Sequence, residues 1–205
     1  MTEPVVQPAG NFFDKYGSKN PVARRLMRGF LEAFDALSAK ADIGKCLEIG
    51  CGEGELSIRL AQKGWLAEGC DIAPDAVAEA VHRASRAGVN IPFSECAIQD
   101  ASSRFKPVSL VVCCEVLEHL DDPRDGLRVL AQLSTGYVLV SVPREPLWRV
   151  LNMARLRYLT HLGNTPGHIQ HWSRRAFVAM LEERFDVLEV RSPLPWTMVL
   201  CRVRS

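Results

Sequence analysis

The segment Glu115-Val116-Leu117-Glu118-His119 puts two carboxylates and an imidazole within five residues. In a helix beginning near residue 116, Glu115, Glu118 and His119 fall at i, i+3 and i+4 and converge on one face. Two chemistries are open to such a group. His119, with an ordinary pKa of about 6.5, suits a general base that takes a proton from an acceptor hydroxyl. Alternatively, the carboxylates and imidazole hold a divalent cation that lowers the pKa of a bound hydroxyl. Mixed oxygen and nitrogen ligands admit Mg, Mn or Fe without choosing among them. A plainer reading has the glutamates cap a helix or touch a ligand while His119 lines a pocket. Further along, His168 stands four residues before Trp172, with His171 between them and Arg174-Arg175 beyond. His82, in a polar helical window, is not expected to take part.

A second constellation is Glu48-Ile49-Gly50-Cys51-Gly52-Glu53-Gly54, between an apolar run and a helical window. Glycines at alternate positions let the backbone turn tightly and approach a ligand closely. The turn feeds a helix N-terminus, whose free N–H groups favour negative or polar atoms. The dinucleotide pattern GxGxxG needs glycine at position 55, where Glu55 stands and would oppose a pyrophosphate. No GK[ST] follows, which excludes a P-loop. Asp71 ends the next apolar run, about 20 residues on, where an acid pairs with the two hydroxyls of a ribose. The set fits a nucleoside ligand without a pyrophosphate, and S-adenosylmethionine (SAM) is one. Cys51 gets no nucleophilic role, since small residues suit tight turns.

These residues need elements to hold them. Residues 1–20 read as an irregular arm, followed by a helix over 21–41 with Leu26, Phe30, Leu31, Phe34 and Leu37 on one face. From residue 45, short apolar runs alternate with helical windows. Strands are expected at 45–50, 65–73, 91–98, 108–116 and 136–143, and helices at 54–64, 74–88 and 118–133. Strands spaced by helices imply a parallel sheet covered on both faces, and the continuous run LVVCC fits its centre. Residues 144–171, rich in arginine, read as a lid with a short helix. A helix over 173–185, with Ser173 as N-cap, and two antiparallel strands within 186–203 finish the chain.

The chain has 205 residues with 47% hydrophobic and 24% charged, an ordinary balance for one globular domain. Lys and Arg total 25 against 24 acidic residues, a net charge of +1 that argues against a nucleic-acid partner. No apolar run reaches the ~18 residues of a membrane span, and the N-terminus lacks the pattern of a secretory signal. Seven cysteines with no CxxC pair read as buried thiols in a reducing cytoplasm.

The ordered set CLEIGCGEGELS, GCDIAP, CAIQDAS and VVCCEVLEHLDDP, over about residues 45–145, resembles the class I SAM-dependent methyltransferases. That resemblance implies a Rossmann-like, doubly wound α/β fold with a seven-stranded sheet, mostly parallel with an antiparallel last strand. It implies that Glu48, Gly50, Cys51, Gly52 and Gly54 form the turn around the cofactor, that Asp71 holds its ribose and that Ile72 lies against its adenine. Asp100 and Ala101 would meet the adenine edge, and Cys114 and Glu115 would face the methionine part. EVLEH is also similar to the segment of the ubiquinone-pathway O-methyltransferases, a small-molecule group. With His168, it resembles the metal-dependent small-RNA 3′-terminal ribose methyltransferases, in which Glu115, Glu118, His119 and His168 would be the ligands.

The expectation is a cytoplasmic enzyme that methylates a small molecule, on oxygen by preference, with a divalent metal possible but not favoured. The alternatives are a metal-dependent ribose 2′-O-methyltransferase on RNA ends and a non-catalytic SAM-binding or assembly protein. Residues 1–44 would cover the active site of a core spanning 45–205. Tyr16, Arg25, Arg144, Trp148 and His171 are the candidate substrate residues. The basic, apolar 144–160 stretch suits an anionic or amphipathic substrate, or peripheral contact with a membrane surface.

Overall fold

The structure, a computed structural model, describes residues 20–154 and 161–204. Helix α1 (Pro21–Ser38) opens on Asn20, whose side chain accepts from the backbone N–H groups of Val22 and Ala23. There follow β1 (Lys45–Ile49), α2 (Glu55–Gln62), β2 (Leu66–Asp71), α3 (Pro74–Arg86), β3 (Phe93–Glu95), α4 (Ile98–Arg104) and β4 (Val108–Cys114). A 3-10 turn (Leu117–His119) leads to α5 (Pro123–Leu133), β5 (Ser134–Pro143) and α6 (Leu147–Ala154). Then come α7 (Arg174–Glu182), β6 (Phe185–Arg191) and β7 (Trp196–Val203).

The seven strands form one sheet in the order β3-β2-β1-β4-β5-β7-β6. All neighbours are parallel except β7, which runs antiparallel to both β5 and β6. This is the doubly wound sheet expected, with its last strand reversed. In β4, Val111 and Cys113 face one side, with Leu127 and Leu130 of α5 and Phe177 and Leu181 of α7. Leu110, Val112 and Cys114 face the other, with Phe30, Phe34 and Leu37 of α1 and Leu56 and Leu60 of α2. A strand buried on both faces has no polar alternation, which is why LVVCC reads as an unbroken apolar run.

Two of the departures from the expected boundaries bear on the site. The strand expected over 91–98 occupies only residues 93–95, and α4 takes up the next segment. Ile98 and Ala101, three apart, both point into the core from α4, so the apolar character of Ile98 belongs to a helix face. The helix expected from residue 118 starts only at Pro123. Proline disfavours helical geometry in the residue before it, so Asp122 stays extended and caps α5 with its side chain.

Candidate active site

Strands β1, β2, β4 and β5 end at one edge of the sheet, the usual ligand crevice of this architecture. At the end of β1 the chain turns through three left-handed glycines, Gly50, Gly52 and Gly54, with φ of 72°, 51° and 80°. The N–H groups of Gly50 and Cys51 both donate to the Cys70 carbonyl, at 2.8 and 2.9 Å, which ties the turn to β2. A Cβ on Gly50 would lie 2.2 Å from a methyl of Val116, so only glycine lets the segment after β4 close over the turn. At Gly52 a Cβ would meet nothing within 4 Å among the described residues, leaving that side open to a ligand.

The Gly52 N–H donates to Asp71 Oδ2 at 2.8 Å, and the Ala73 N–H donates to Oδ1 at 2.9 Å. These bonds fix the carboxylate at the tip of β2 and leave lone pairs for hydroxyls. Next to it, Ile72 is 51% exposed, an apolar surface at the crevice. Beneath the turn, Glu48 is buried and accepts from the Ser57 hydroxyl at 2.5 Å. Burial pushes its carboxyl up to about 8, partly offset by the Ser57 bond. Burial also raises the Cys51 thiol far above the range of a reactive thiolate, and nearby Glu48 adds to the effect. The glycine turn, the acid and the apolar neighbour fit the aminoacyl, ribose and adenine parts of SAM.

At the end of β4 the sequence expectation needs correcting. Glu115 adopts a left-handed φ of 60°, so no helix runs through it. Its N–H donates to the Ser141 carbonyl, its Oε1 accepts from the Ser141 hydroxyl at 3.0 Å, and its Oε2 accepts from the Trp196 indole N–H at 2.7 Å. The carboxylate thus points along the sheet toward β5 and β7, away from the face it was expected to share with Glu118 and His119. The group that does assemble is Glu118, His119 and His168, with one ligand atom from each within 4.8 Å of the others. Glu118 and His168 are buried and His119 is exposed.

Backbone bonds hold this trio. The N–H groups of Ile169 and Gln170 both donate to the Glu118 carbonyl at 3.0 Å. His119 Nδ1 lies 2.8 Å from the Gly167 carbonyl oxygen, which can only accept. In the neutral ring, Nδ1 therefore carries the proton and Nε2 is the basic nitrogen. His168 meets His119 edge-on at 4.9 Å and stacks on Trp148 at 5.8 Å. Trp148 in turn contacts Trp196, which packs edge-on against Phe30 of α1. The Trp148 indole N–H donates to Thr165 Oγ1, and the Asn152 amide donates to both Thr165 Oγ1 and the Gly163 carbonyl. A continuous wall of rings therefore runs from α1 to the 3-10 turn.

Other expected site residues fall in several places. Ala101 is fully buried in the core between α4 and β4, and so cannot meet an adenine edge. Asp100 is exposed in the first turn of α4. The turn next to Asp71 is instead Cys96-Ala97, whose Cys96 N–H donates to the Asp71 carbonyl. Cys114 is buried beneath the crevice with a strongly raised pKa caused by desolvation. Arg144 is half-buried, with its N–H on the Pro195 carbonyl. His171 pairs with Asn164, one layer behind His168. Arg25 lines a groove on α1, and Tyr16 lies outside the described residues. The parts that composition does not mark are Ser141, Trp196, Asn152, Thr165 and Gly167. They act through contacts far apart in sequence, and no local spacing announces them.

The methyltransferase domain family matches residues 19–190. The chain is 34% identical over 90 residues to the ubiquinone biosynthesis O-methyltransferase of Erwinia tasmaniensis, covering 43% of this chain and 37% of that protein. It is 36% identical over 99 residues to the tRNA 5-carboxymethoxyuridine methyltransferase of Escherichia coli K12, covering 46% and 38%. The chain thus spans under two fifths of the length of these two curated relatives. The magnesium protoporphyrin IX methyltransferase of Synechocystis PCC 6803, solved with bound SAH, shares the fold with a TM-score of 0.69 at 21% identity, covering 92% of this chain and 90% of that one. With the family matched across most of its length, the chain belongs to the methyltransferase domain family.

Proposed function

We propose that this domain methylates a hydroxyl oxygen of a small molecule, with His119 as the general base. The observation that carries the proposal is the Gly167 carbonyl on His119 Nδ1, which makes Nε2 the basic nitrogen just beyond the end of β4. When bound, SAM supplies an electrophilic methyl group on a sulfonium. Asp71 orients the ribose, the glycine turn admits the backbone of the donor, and Val116 closes over the turn. Nε2 takes the acceptor proton as the oxygen becomes nucleophilic, and the fixed geometry supplies most of the acceleration. The ubiquinone-pathway relative, named as an O-methyltransferase, supports oxygen as the acceptor atom. Seven buried thiols, none in a disulfide, support a cytoplasmic setting.

The test is transfer from methyl-labelled SAM to a panel of small phenols and catechols. His119→Ala should lower turnover roughly 10²–10⁴-fold while SAH affinity stays unchanged. Full activity in His119→Ala would remove the base from the mechanism. SAH binding without transfer to any hydroxyl would favour a binding role instead.

A second reading rests on the clustering of Glu118, His119 and His168. One carboxylate and two imidazoles suit a divalent cation such as Mn or Fe. Such an ion would polarise an acceptor hydroxyl. Loss of turnover in EDTA, with recovery on adding Mn or Mg, is its signature, and activity indifferent to EDTA rejects it.

A further inference from the structure

Helix α1 carries a glycine in its interior, where glycine is the least favoured residue after proline. No local feature of the fold asks for it. A Cβ on Gly29 would meet nothing within 4 Å among the described residues. What the missing side chain does leave is a groove of about 420 Å³ between α1 and the β6–β7 connection. Pro21, Val22, Arg25, Leu26, Gly29 and Leu194 line it.

Its walls are aliphatic and open to solvent, with Val22 63% and Leu194 53% exposed. Exposed apolar walls around a concave site favour an apolar ligand, because covering them removes that surface from water. Arg25 is the charged group among the described lining residues. It makes no ion pair with any described residue, and its neighbours Arg24 and Arg28 are also exposed arginines. The first acid along α1 is Glu32, one turn beyond the groove, and the Ser192–Pro195 connection carries none. The described charges nearest the groove, Arg24, Arg25 and Arg28, are therefore all positive, although the whole chain has a net charge of only +1. Among the described residues no aromatic ring lines the groove for a base to stack on, so the combination does not favour a nucleic acid. It suits an aliphatic chain ending in an anionic group, which the guanidinium can bind in a bidentate manner. The position is also suggestive. Leu194 leads within two residues to Trp196, so the groove opens at the same carboxyl edge of the sheet as the active site.

We propose that the α1 groove binds the aliphatic chain of an anionic amphiphile, with Arg25 on its acid group. The groove's lining shares no residue with the His119 cluster, and its occupancy can be read without turnover.

The experiment is isothermal titration of the SAH-loaded chain with dodecanoate below its micelle concentration. Hexanoate and dodecyl maltoside serve as short-chain and neutral controls. The expected result is a single dodecanoate site, with hexanoate at least tenfold weaker. Gly29→Leu fills the groove from one wall and should weaken dodecanoate at least tenfold, with SAH affinity unchanged and the melting temperature equal or higher. Leu194→Ser, on the opposite wall, should weaken it severalfold. Arg25→Gln should weaken dodecanoate severalfold but leave dodecyl maltoside unaffected. Equal binding to wild type and Gly29→Leu, or no binding to wild type, overturns the proposal. So does binding to phosphatidylglycerol vesicles without uptake of monomeric dodecanoate, which would mark a surface contact instead.

Discussion

Glu115 holds a backbone conformation that costs a residue with a side chain about 1–2 kcal/mol. Its carboxylate bonds to Ser141 and Trp196, and its N–H bond to the Ser141 carbonyl, offset that cost. Trp196→Phe keeps a ring against Phe30 but removes the N–H from a partly buried carboxylate. It should destabilise the chain by about 1–3 kcal/mol in urea unfolding. Glu115→Gln keeps an oxygen for the indole N–H and lets its amide nitrogen donate to the Ser141 hydroxyl, but it loses the charge that strengthens both bonds, so it should cost less stability than Trp196→Phe, whereas a role confined to ligand binding would leave unfolding unchanged. This residue shows the limit of reading from sequence. The clustering of Glu118, His119 and His168 was legible from residue types and from the resemblance that the His-to-Trp spacing carries. The outward turn of Glu115 was not, because a left-handed φ at a glutamate leaves no mark in composition or periodicity.

At the scale of elements, legibility followed burial pattern. The alternation of apolar runs and helical windows gave the sheet, the two-sided cover of β4 and the closing antiparallel pair. It failed where one apolar residue served either geometry, as with Ile98, and where a proline set a boundary through its neighbour, as at Asp122. That second boundary matters for the site, since it leaves the turn bearing His119 outside α5, packed on it through Leu117. The Asp122 side chain accepts from the N–H groups of Arg124 and Asp125 and so caps α5. Asp122→Ala should cost ~1 kcal/mol, a fall of about 2–4 °C in melting temperature for a domain of this size, with SAH affinity kept. The ring wall across α1, β7, α6 and the segment after it was beyond reach from sequence. Phe30, Trp148, His168 and Trp196 come from four separate stretches, and only the fold brings them together.

For the whole molecule, the buried Glu48 sets a pH dependence. Unfolded, its carboxyl releases its proton near 4.5, while the folded chain holds it to about 8. The folded state therefore binds more protons across that window. The stability tied to Glu48 is full below about pH 4.5 and is lost as pH rises toward 8. Glu48→Gln should flatten this fall, by up to ~1.4 kcal/mol per pH unit relative to wild type, in thermal melts taken across the same range. The strand order has a consequence of its own for colloidal behaviour. β3 and β6 are the outer strands, where unpaired backbone groups could recruit another chain. β3 is only three residues long, too short to serve as a template. β6 is longer, but its pairing with β7 shifts register between Val187 and Glu189, and Asp186, Glu189 and Arg191 lie along it in ion pairs. Both margins are therefore poor seeds for edge-to-edge aggregation, one through brevity and the other through irregularity and charge.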